Sequence, residues 1–411
     1  MAPETLDIAI IGGGILGLAA AVAIGDRFPR VLVGIVEKER ALARHQTGHN
    51  SGVIHSGIYY TPGSYKARLC VEGARLLKQF CDANDVRYEN RGKVIVATSD
   101  SERPRLQALY ERGIANGVPE IALIEPARVR EIEPHVRAVA ALYSPTTAIV
   151  DYTEVAGALA SRLRARGVAI HTDARVRAIR EIDALYLETT AGTFAARNAI
   201  NCAGLYSDTV ARMMGARPAV RIIPFRGEYY TLRRRQSLVR GLIYPLPDPR
   251  FPFLGVHFTR RVQGDVEAGP NAVLACAREG YRRATVSPTE LLATLTYAGF
   301  WAMAGRYWRT GLYEMYRSYS KRAFLRALRR LIPALQDADL EPGGAGVRAQ
   351  AVAPDGALVD DFAIAETPHA IHVLNAPSPA ATASLAVGRH IAMLAGRAFG
   401  LDAAAAARSV P

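Results

Sequence analysis

The sequence predicts a two-part fold, an α/β half built on a parallel sheet interleaved with an α+β half built on an antiparallel one. Three observations carry this expectation. The first forty residues run strand, glycine loop, helix, strand and acid in that order. Residues 85–146 and 214–284 are rich in strand patterns, such as 93–96 (KVIV) and 228–232 (EYYTL). Residues 285–333 differ from both, with many aromatics and arginines and few acids. The expected division is 1–84, 147–213 and 334–411 for the α/β half, 85–146 and 214–284 for the antiparallel half, and 285–333 for a helical insertion.

Composition supports a folded chain of that size. The 411 residues are 50% hydrophobic and 22% charged, enough for a large core in roughly two domains. Cys70, Cys81, Cys202 and Cys276 are scattered and form no CxxC pair. Free thiols in a reducing, cytoplasmic setting are expected, rather than a disulfide scaffold or a zinc site. The chain opens without the basic region of a secretory signal, and no apolar run reaches the roughly 18 residues of a spanning helix. The net charge of +13 suits nucleic acid, anionic lipid or an acidic substrate, and alone selects none of them.

The opening unit has a physical job for each part. Residues 7–11 (DIAII) read as a buried parallel strand, and Gly12-Gly13-Gly14-Ile15-Leu16-Gly17 matches GxGxxG. Gly12 permits the tight turn, Gly14 lets backbone approach a pyrophosphate, and Gly17 allows close helix–strand contact. The helix beginning near Ile15 offers unpaired N–H groups and a positive dipole end to phosphate. A second strand over 31–36 ends at Glu37, with Lys38 next to it. A carboxylate there accepts hydrogen bonds from ribose hydroxyls and disfavours a 2′-phosphate, so FAD or NAD is preferred over NADP. An ordinary glycine turn is the competing reading.

The segment 44–57 (RHQTGHNSGVIHSG) points to FAD. A plain NAD domain places a crossover helix here, whereas a long polar loop can track an extended cofactor. Thr47, Asn50 and Ser51 offer hydrogen bonds to pyrophosphate and ribityl groups, and Gly48 and Gly52 permit close approach. His45, His49 and His55 have no carboxylate or cysteine at ligand spacing, so no metal is expected. Further on, 194–203 reads as a strand ending in 201–204 (NCAG), followed by a helix over 207–214. Ala203 and Gly204 would touch the cofactor again, and Val176, after an edge at 169–171, would read adenine through its backbone. Residues 151–166 read as a helix with Asp151 or Thr153 at its start.

At this point the chain resembles a known family. Residues 45–73 (HQTGHNSGVIHSGIYYTPGSYKARLCVEG) are similar to the N-terminal signature of the L-2-hydroxyglutarate dehydrogenases/oxidases. These are FAD enzymes of the D-amino-acid-oxidase-like superfamily. Residues 223–232, 242–249, 253–260, 269–275, 278–281, 346–350 and 372–388 also fit, so the resemblance reaches from near the start to about residue 390. It implies oxidation of L-2-hydroxyglutarate to 2-oxoglutarate by hydride transfer to flavin N5, with electrons passing to a quinone or oxygen. It also makes 375–382 (NAPSPAAT) a flavin contact, through Asn375, Pro379, Ala380, Ala381 and Thr382. Pro379 suits the first turn of a helix running to 395, whose N-terminus would face the reduced flavin.

The implied chemistry needs a base near pH 7, which histidine supplies. His55, at the end of the cofactor loop, is the first choice, and His257 the second. The two substrate carboxylates need guanidinium or phenol donors. Arg348, in 346–350 (GVRAQ) beside Gly346, is the leading anchor, with Tyr59, Tyr60 and Arg226 behind it and Gln350 as an orienting group. A related flavin amino-acid or amine oxidase, or a non-catalytic dinucleotide- or nucleic-acid-binding protein, stays open as an alternative. The expected partners are a small dicarboxylate and no nucleic acid.

Residues 291–330 hold both tryptophans, Trp301 and Trp308, among Tyr297, Phe300, Tyr307, Tyr313, Tyr316, Tyr319 and Phe324. Two or three helices with an apolar and a basic face would suit the inner, anionic membrane surface and a membrane quinone, or else an internal packing or oligomer contact. The alanine-rich tail after Gly400 reads as a fraying helix.

Overall fold

The opening strand–loop–helix forms as its glycines require. Strand Thr5–Ile11 ends at Gly12, whose φ is +112° and whose missing Cβ would lie 2.5 Å from the Cys202 carbonyl oxygen. Helix Ile15–Arg27 then starts, and a Cβ on Gly17 would stand 2.0 Å from the Gly12 carbonyl oxygen. No side chain fits either place without moving backbone, so these positions set how closely the helix lies on the sheet. The computed structural model describes residues 5–247 and 255–402. The expected tail after Gly400, from residue 403 onward, and part of the 242–249 and 253–260 blocks lie outside the described residues.

Two large sheets organise the chain. The first has eight strands and is parallel at its centre. Thr5–Ile11 lies between Val33–Val36 and Gly192–Asn201, and Ala370–Asn375 joins the far end of Gly192–Asn201 in parallel. Ala169–His171 closes one edge and Val176–Glu181 the other, so these two segments lie on opposite sides of the sheet rather than along one edge. Helices Ile15–Arg27, Tyr152–Ala165 and Ser384–Ala398 cover it with alanine, leucine, valine and isoleucine. Asp151 caps the middle one, accepting from the Thr153 N–H at 2.8 Å.

The second sheet has nine strands. Its long pair is Arg221–Leu232 against Leu340–Val352, antiparallel. The latter strand was expected with the α/β half, but it pairs along nearly its whole length in this other sheet. Lys93–Ala97 and Leu242–Pro245 run parallel, a local exception in an otherwise antiparallel array. The insertion is helical as its composition suggests, with helices Pro288–Leu295, Ala298–Tyr319 and Lys321–Leu328. Phe300 and Met303 pack on Ile223 and Val352, while Phe324, Leu325 and Leu328 join the core under the nine-stranded sheet.

One expected element is displaced. The final helix begins at Ser384, not near Pro379, and the Ser378–Pro379 peptide is cis. Pro377 and Pro379 lack N–H donors, so the segment closes instead by turns, Ala380 N–H to Pro377 O and Ala383 N–H to Pro379 O.

Candidate active site

A cavity of about 950 Å³ opens between the two sheets, large for a small-molecule site, and both sheets line it. Gly12, Gly14, Ile15, Glu37, Lys38, Val176, Ala203 and Gly204 line the part nearest the opening βαβ unit. Thr47, Asn50 and Ser51 line it from the loop, and Gly346, Pro379, Ala380, Ala381 and Thr382 from the later segments. His55, Tyr59, Tyr60, His257, Arg348 and Gln350 line it too. Residues separated by hundreds of positions therefore meet at one space, which an extended dinucleotide with a small substrate could share.

Several of these groups hold the cradle itself. Glu37 is buried and accepts from the Gly13 N–H at 2.6 Å and the Glu39 N–H at 2.9 Å. Two of its roughly four acceptor positions are thus used, leaving capacity for ribose hydroxyls. The Ile15 N–H donates to the Thr47 hydroxyl at 3.1 Å, so the loop is pinned to the helix start. Asn50 closes its own turn, donating to the Thr47 carbonyl at 2.6 Å and accepting from the Gly52 N–H at 2.8 Å. Lys38 donates to Glu39, to His45 at 2.6 Å and to Glu279 at 2.5 Å. Those three partners lie within 4.8 Å of one another, a grouping that the spacing of the histidines did not reveal, and the Lys38 ammonium sits among them. The Lys38 ammonium is the first cause holding the Glu39 carboxyl down to about 2.

Three expected contacts are corrected. Arg226 does not line the cavity. Along its strand Phe225, Gly227 and Tyr229 face the cavity, and alternation turns Arg226 to the other side. There it pairs with Glu228 at 3.1 Å, which also holds Arg283, Asn271 and Ser318. Asn375 braces a neighbouring segment, donating to the carbonyls of Val359 at 3.0 Å and Asp361 at 2.8 Å. Gly48 is not among the lining residues, and its missing Cβ would meet the Ala43 carbonyl oxygen at 2.5 Å, so it serves the turn.

The histidines stand close together and both are desolvated. The His55 backbone N–H donates to the Thr382 hydroxyl at 3.0 Å, which also meets Tyr152 Oη at 3.0 Å. This ties the end of the cofactor loop to the C-terminal segment. Burial, helped by the charge of Lys93 and by His257, pushes His55 down to about 3. Burial also lowers His257 to about 4, against its bond to Gly255 O at 3.0 Å, with Lys93 and Arg348 adding to the fall. That bond makes His257 Nδ1 the protonated nitrogen and leaves Nε2 as an acceptor. Its ring stacks on Tyr244, centroids 3.9 Å apart. Burial holds the Tyr59 and Tyr60 phenols well above their usual range, so both are donors at neutral pH. Arg348 is enclosed, and the surface it keeps faces the cavity.

Sequence reasoning missed Tyr229, Tyr244 and Lys93. Lys93 is 1% exposed in an otherwise apolar strand, beneath the rings of Tyr59 at 4.7 Å and Tyr244 at 5.4 Å, and burial lowers it to about 8. A lysine in the run KVIVA was the available signal. Tyr229 follows from alternation once Phe225 is placed.

The site's chemistry fits FAD. His55 Nδ1, Tyr59 Oη and Tyr244 Oη are buried without a protein hydrogen-bond partner, which calls for a polar occupant. A model of the FAD dependent oxidoreductase family matches residues 7–394. The chain belongs to that family. L-2-hydroxyglutarate dehydrogenases are close relatives of this oxidoreductase. That of Indibacter alkaliphilus is 50% identical, over 93% of this chain and 96% of the relative. That of Escherichia coli is 46% identical over 94% and 92%, and the human mitochondrial one 45% over 95% and 88%. Among solved structures, an FAD-bound L-alpha-glycerophosphate oxidase from Mycoplasma pneumoniae superposes with a TM-score of 0.78 at 23% identity, over 97% of this chain and 95% of that one. Glycine oxidase from Geobacillus kaustophilus does so with 0.71 at 19%, over 96% and 95%. At those identities the likeness speaks for the fold. The oxidoreductase therefore takes FAD, and residues of the GxGxxG turn, Glu37 and residues of the 44–57 loop line the cavity.

Proposed function

We propose that this oxidoreductase converts L-2-hydroxyglutarate to 2-oxoglutarate. The observation that carries the proposal is the pairing of buried, neutral histidines with the enclosed Arg348 on one cavity, in a chain so similar to L-2-hydroxyglutarate dehydrogenases. Bound FAD supplies the two-electron acceptor for the hydrogen leaving C2. Arg348 holds the carboxylate next to C2, and Tyr59 and Tyr60 donate to substrate oxygens. His55 lies at about 3, below the value near 7 expected of a base, and takes the proton of the C2 hydroxyl because that hydroxyl becomes strongly acidic as hydride leaves C2 and the ketone forms. Gln350 orients through its carbonyl, since its amide nitrogen is committed to the Ala351 and Val359 carbonyls. Electrons then pass to a quinone or oxygen. L-2-Hydroxyglutarate added anaerobically is expected to bleach the flavin, and the D-enantiomer and glycerol-3-phosphate to leave it yellow. No bleaching with the L-acid would sink the assignment.

The helical insertion is proposed as a peripheral membrane contact, through which a quinone would be reached. Trp301 is 59% exposed, Trp308 55% and Tyr319 74%, with Leu292, Leu312 and Tyr316 also open. Exposed Arg306, Arg309, Arg322 and Arg326 accompany them. This combination suits an anionic interface, and no helix among the described residues is long and apolar enough to cross a membrane. The protein is expected to float with anionic liposomes, and replacing Trp301 and Trp308 together by serine to weaken binding about tenfold or more. Equal flotation of the double variant would remove the membrane contact from the proposal.

A further inference from the structure

A substrate with two carboxylates is held best where each meets its own charged donor, and Arg348 can serve only one of them. A carboxylate brought into an enclosed cavity without its own partner loses its hydration uncompensated. The remaining lining cations are unequal. Lys38 is tied to Glu39 and Glu279, and Arg44 and Arg175, which also line the cavity, are exposed to water. Arg105 and Arg112 sit at the exposed rim, bonded to the carbonyls of Pro247 and Tyr59. Lys93 is sealed beneath the tyrosine rings and does not line the cavity.

Lys66 is different. It lies in the first turn of helix Tyr65–Ala83, it is buried, and its ammonium stands 5.1 Å from the centroid of the Tyr60 ring. Its ion-pair partner is Asp360 at 2.8 Å, whose side chain is 86% exposed. Both residues line the cavity. The next residue, Asp361, accepts from the backbone N–H groups of Tyr65 and Lys66, both at 2.9 Å. The segment that carries Asp360 is thereby pinned to the helix start, and Asn375 and Gln350 hold its other side. The arrangement offers a desolvated ammonium to the cavity and covers it with a carboxylate that water already solvates. An ion pair with so exposed a partner contributes little and exchanges readily.

We propose that Lys66 anchors the second carboxylate of the substrate, and that Asp360 occupies its ammonium until that carboxylate arrives. Selection of dicarboxylates over monocarboxylates would then be made at Lys66. The proposal rests on the dicarboxylate reading above, but its test does not require turnover. Holoenzyme is titrated with glutarate and with pentanoate, which differ in one carboxylate, while flavin absorbance is followed. Lys66→Met is expected to weaken glutarate binding about 30-fold, as loss of a charge-assisted hydrogen bond predicts, and to change pentanoate binding less than about threefold. Lys66→Arg should keep most of the discrimination. Asp360→Asn should bind glutarate about threefold tighter than the unaltered protein, because the competing charge is gone. Equal weakening of both acids by Lys66→Met, or no weakening of glutarate, overturns the proposal. If Lys66→Met does not retain flavin, Asp360→Asn decides, and glutarate binding no tighter than before overturns it. Failure of the substrate reading shows separately, as an unaltered holoenzyme that L-2-hydroxyglutarate does not bleach.

Discussion

Replacing His55 by glutamine is expected to slow flavin reduction by L-2-hydroxyglutarate about a thousandfold, the middle of the range for losing a positioned base. That is about 4 kcal/mol on the barrier. The KM should move little, since the imidazole acts on a hydroxyl proton and not on the carboxylates. His257→Gln is the control. Its Nδ1–H donates to Gly255 O and leaves Nε2 able to take a proton, so it is the competing base, and with His55 in that role its loss is expected to cost far less. A thousandfold loss in His257→Gln with little in His55→Gln would move the base to His257.

The pH dependence makes the same point independently. An ordinary histidine base, near 6.5, would impose an acid limb on kcat/KM around neutrality. Here burial pushes His55 to about 3 and His257 to about 4, so both stay neutral and kcat/KM should be flat from about pH 5 to 8. Stability moves the other way. The folded pKa lies below the unfolded one, so below pH 6.5 the unfolded chain binds the extra proton. The contribution is intact above about 6.5 and is lost as pH falls toward the folded pKa. In His55→Gln, the loss of unfolding free energy between pH 7 and pH 5 should shrink by about 2 kcal/mol, measured by urea unfolding at both values.

What the sequence could disclose was local. Gly12, Gly17 and Glu37 were legible because each acts on atoms within one βαβ unit, and their spacing is that unit's geometry. His55 was legible because chain length alone carries the polar loop from Glu37 to the far part of the cavity. Arg226 was misplaced by parity, since one step along a strand decides whether a guanidinium meets the cavity or Glu228. Asn375 lies in the expected segment, yet its amide turns to the carbonyls of Val359 and Asp361, partners that only tertiary packing supplies. Lys66 and Asp360 lie almost three hundred positions apart, and no local pattern pairs them. Leu340–Val352 failed for a related reason. A strand's own residues do not say which of two sheets will take it, and here Arg221–Leu232 does.

Arg348→Met is expected to reduce kcat/KM for L-2-hydroxyglutarate about a thousandfold, within the roughly 2–5 kcal/mol that truncating one partner of a desolvated charge pair costs. Arg348 sits on Leu340–Val352 opposite Phe225, in the part of the cavity that holds Tyr229 and His257. Burial lowers its pKa, which means that the protein alone solvates this guanidinium less well than water does. A carboxylate brought beside it forms a charge pair shielded from water, so one of the two substrate anchors lies at this residue. Because the carboxylate adjoins C2, losing it should misplace the hydroxyl relative to His55 as well. Both kcat and KM are then affected, unlike the affinity-centred effect expected at Lys66. Methionine keeps the length and removes a charge, so the fold should not suffer. Arg348→Lys should recover only part of the loss, since an ammonium cannot reproduce the planar two-point contact. Stopped-flow flavin reduction over a range of substrate concentrations separates the two constants. A loss smaller than about tenfold in Arg348→Met would mean that the carboxylate beside C2 is held elsewhere.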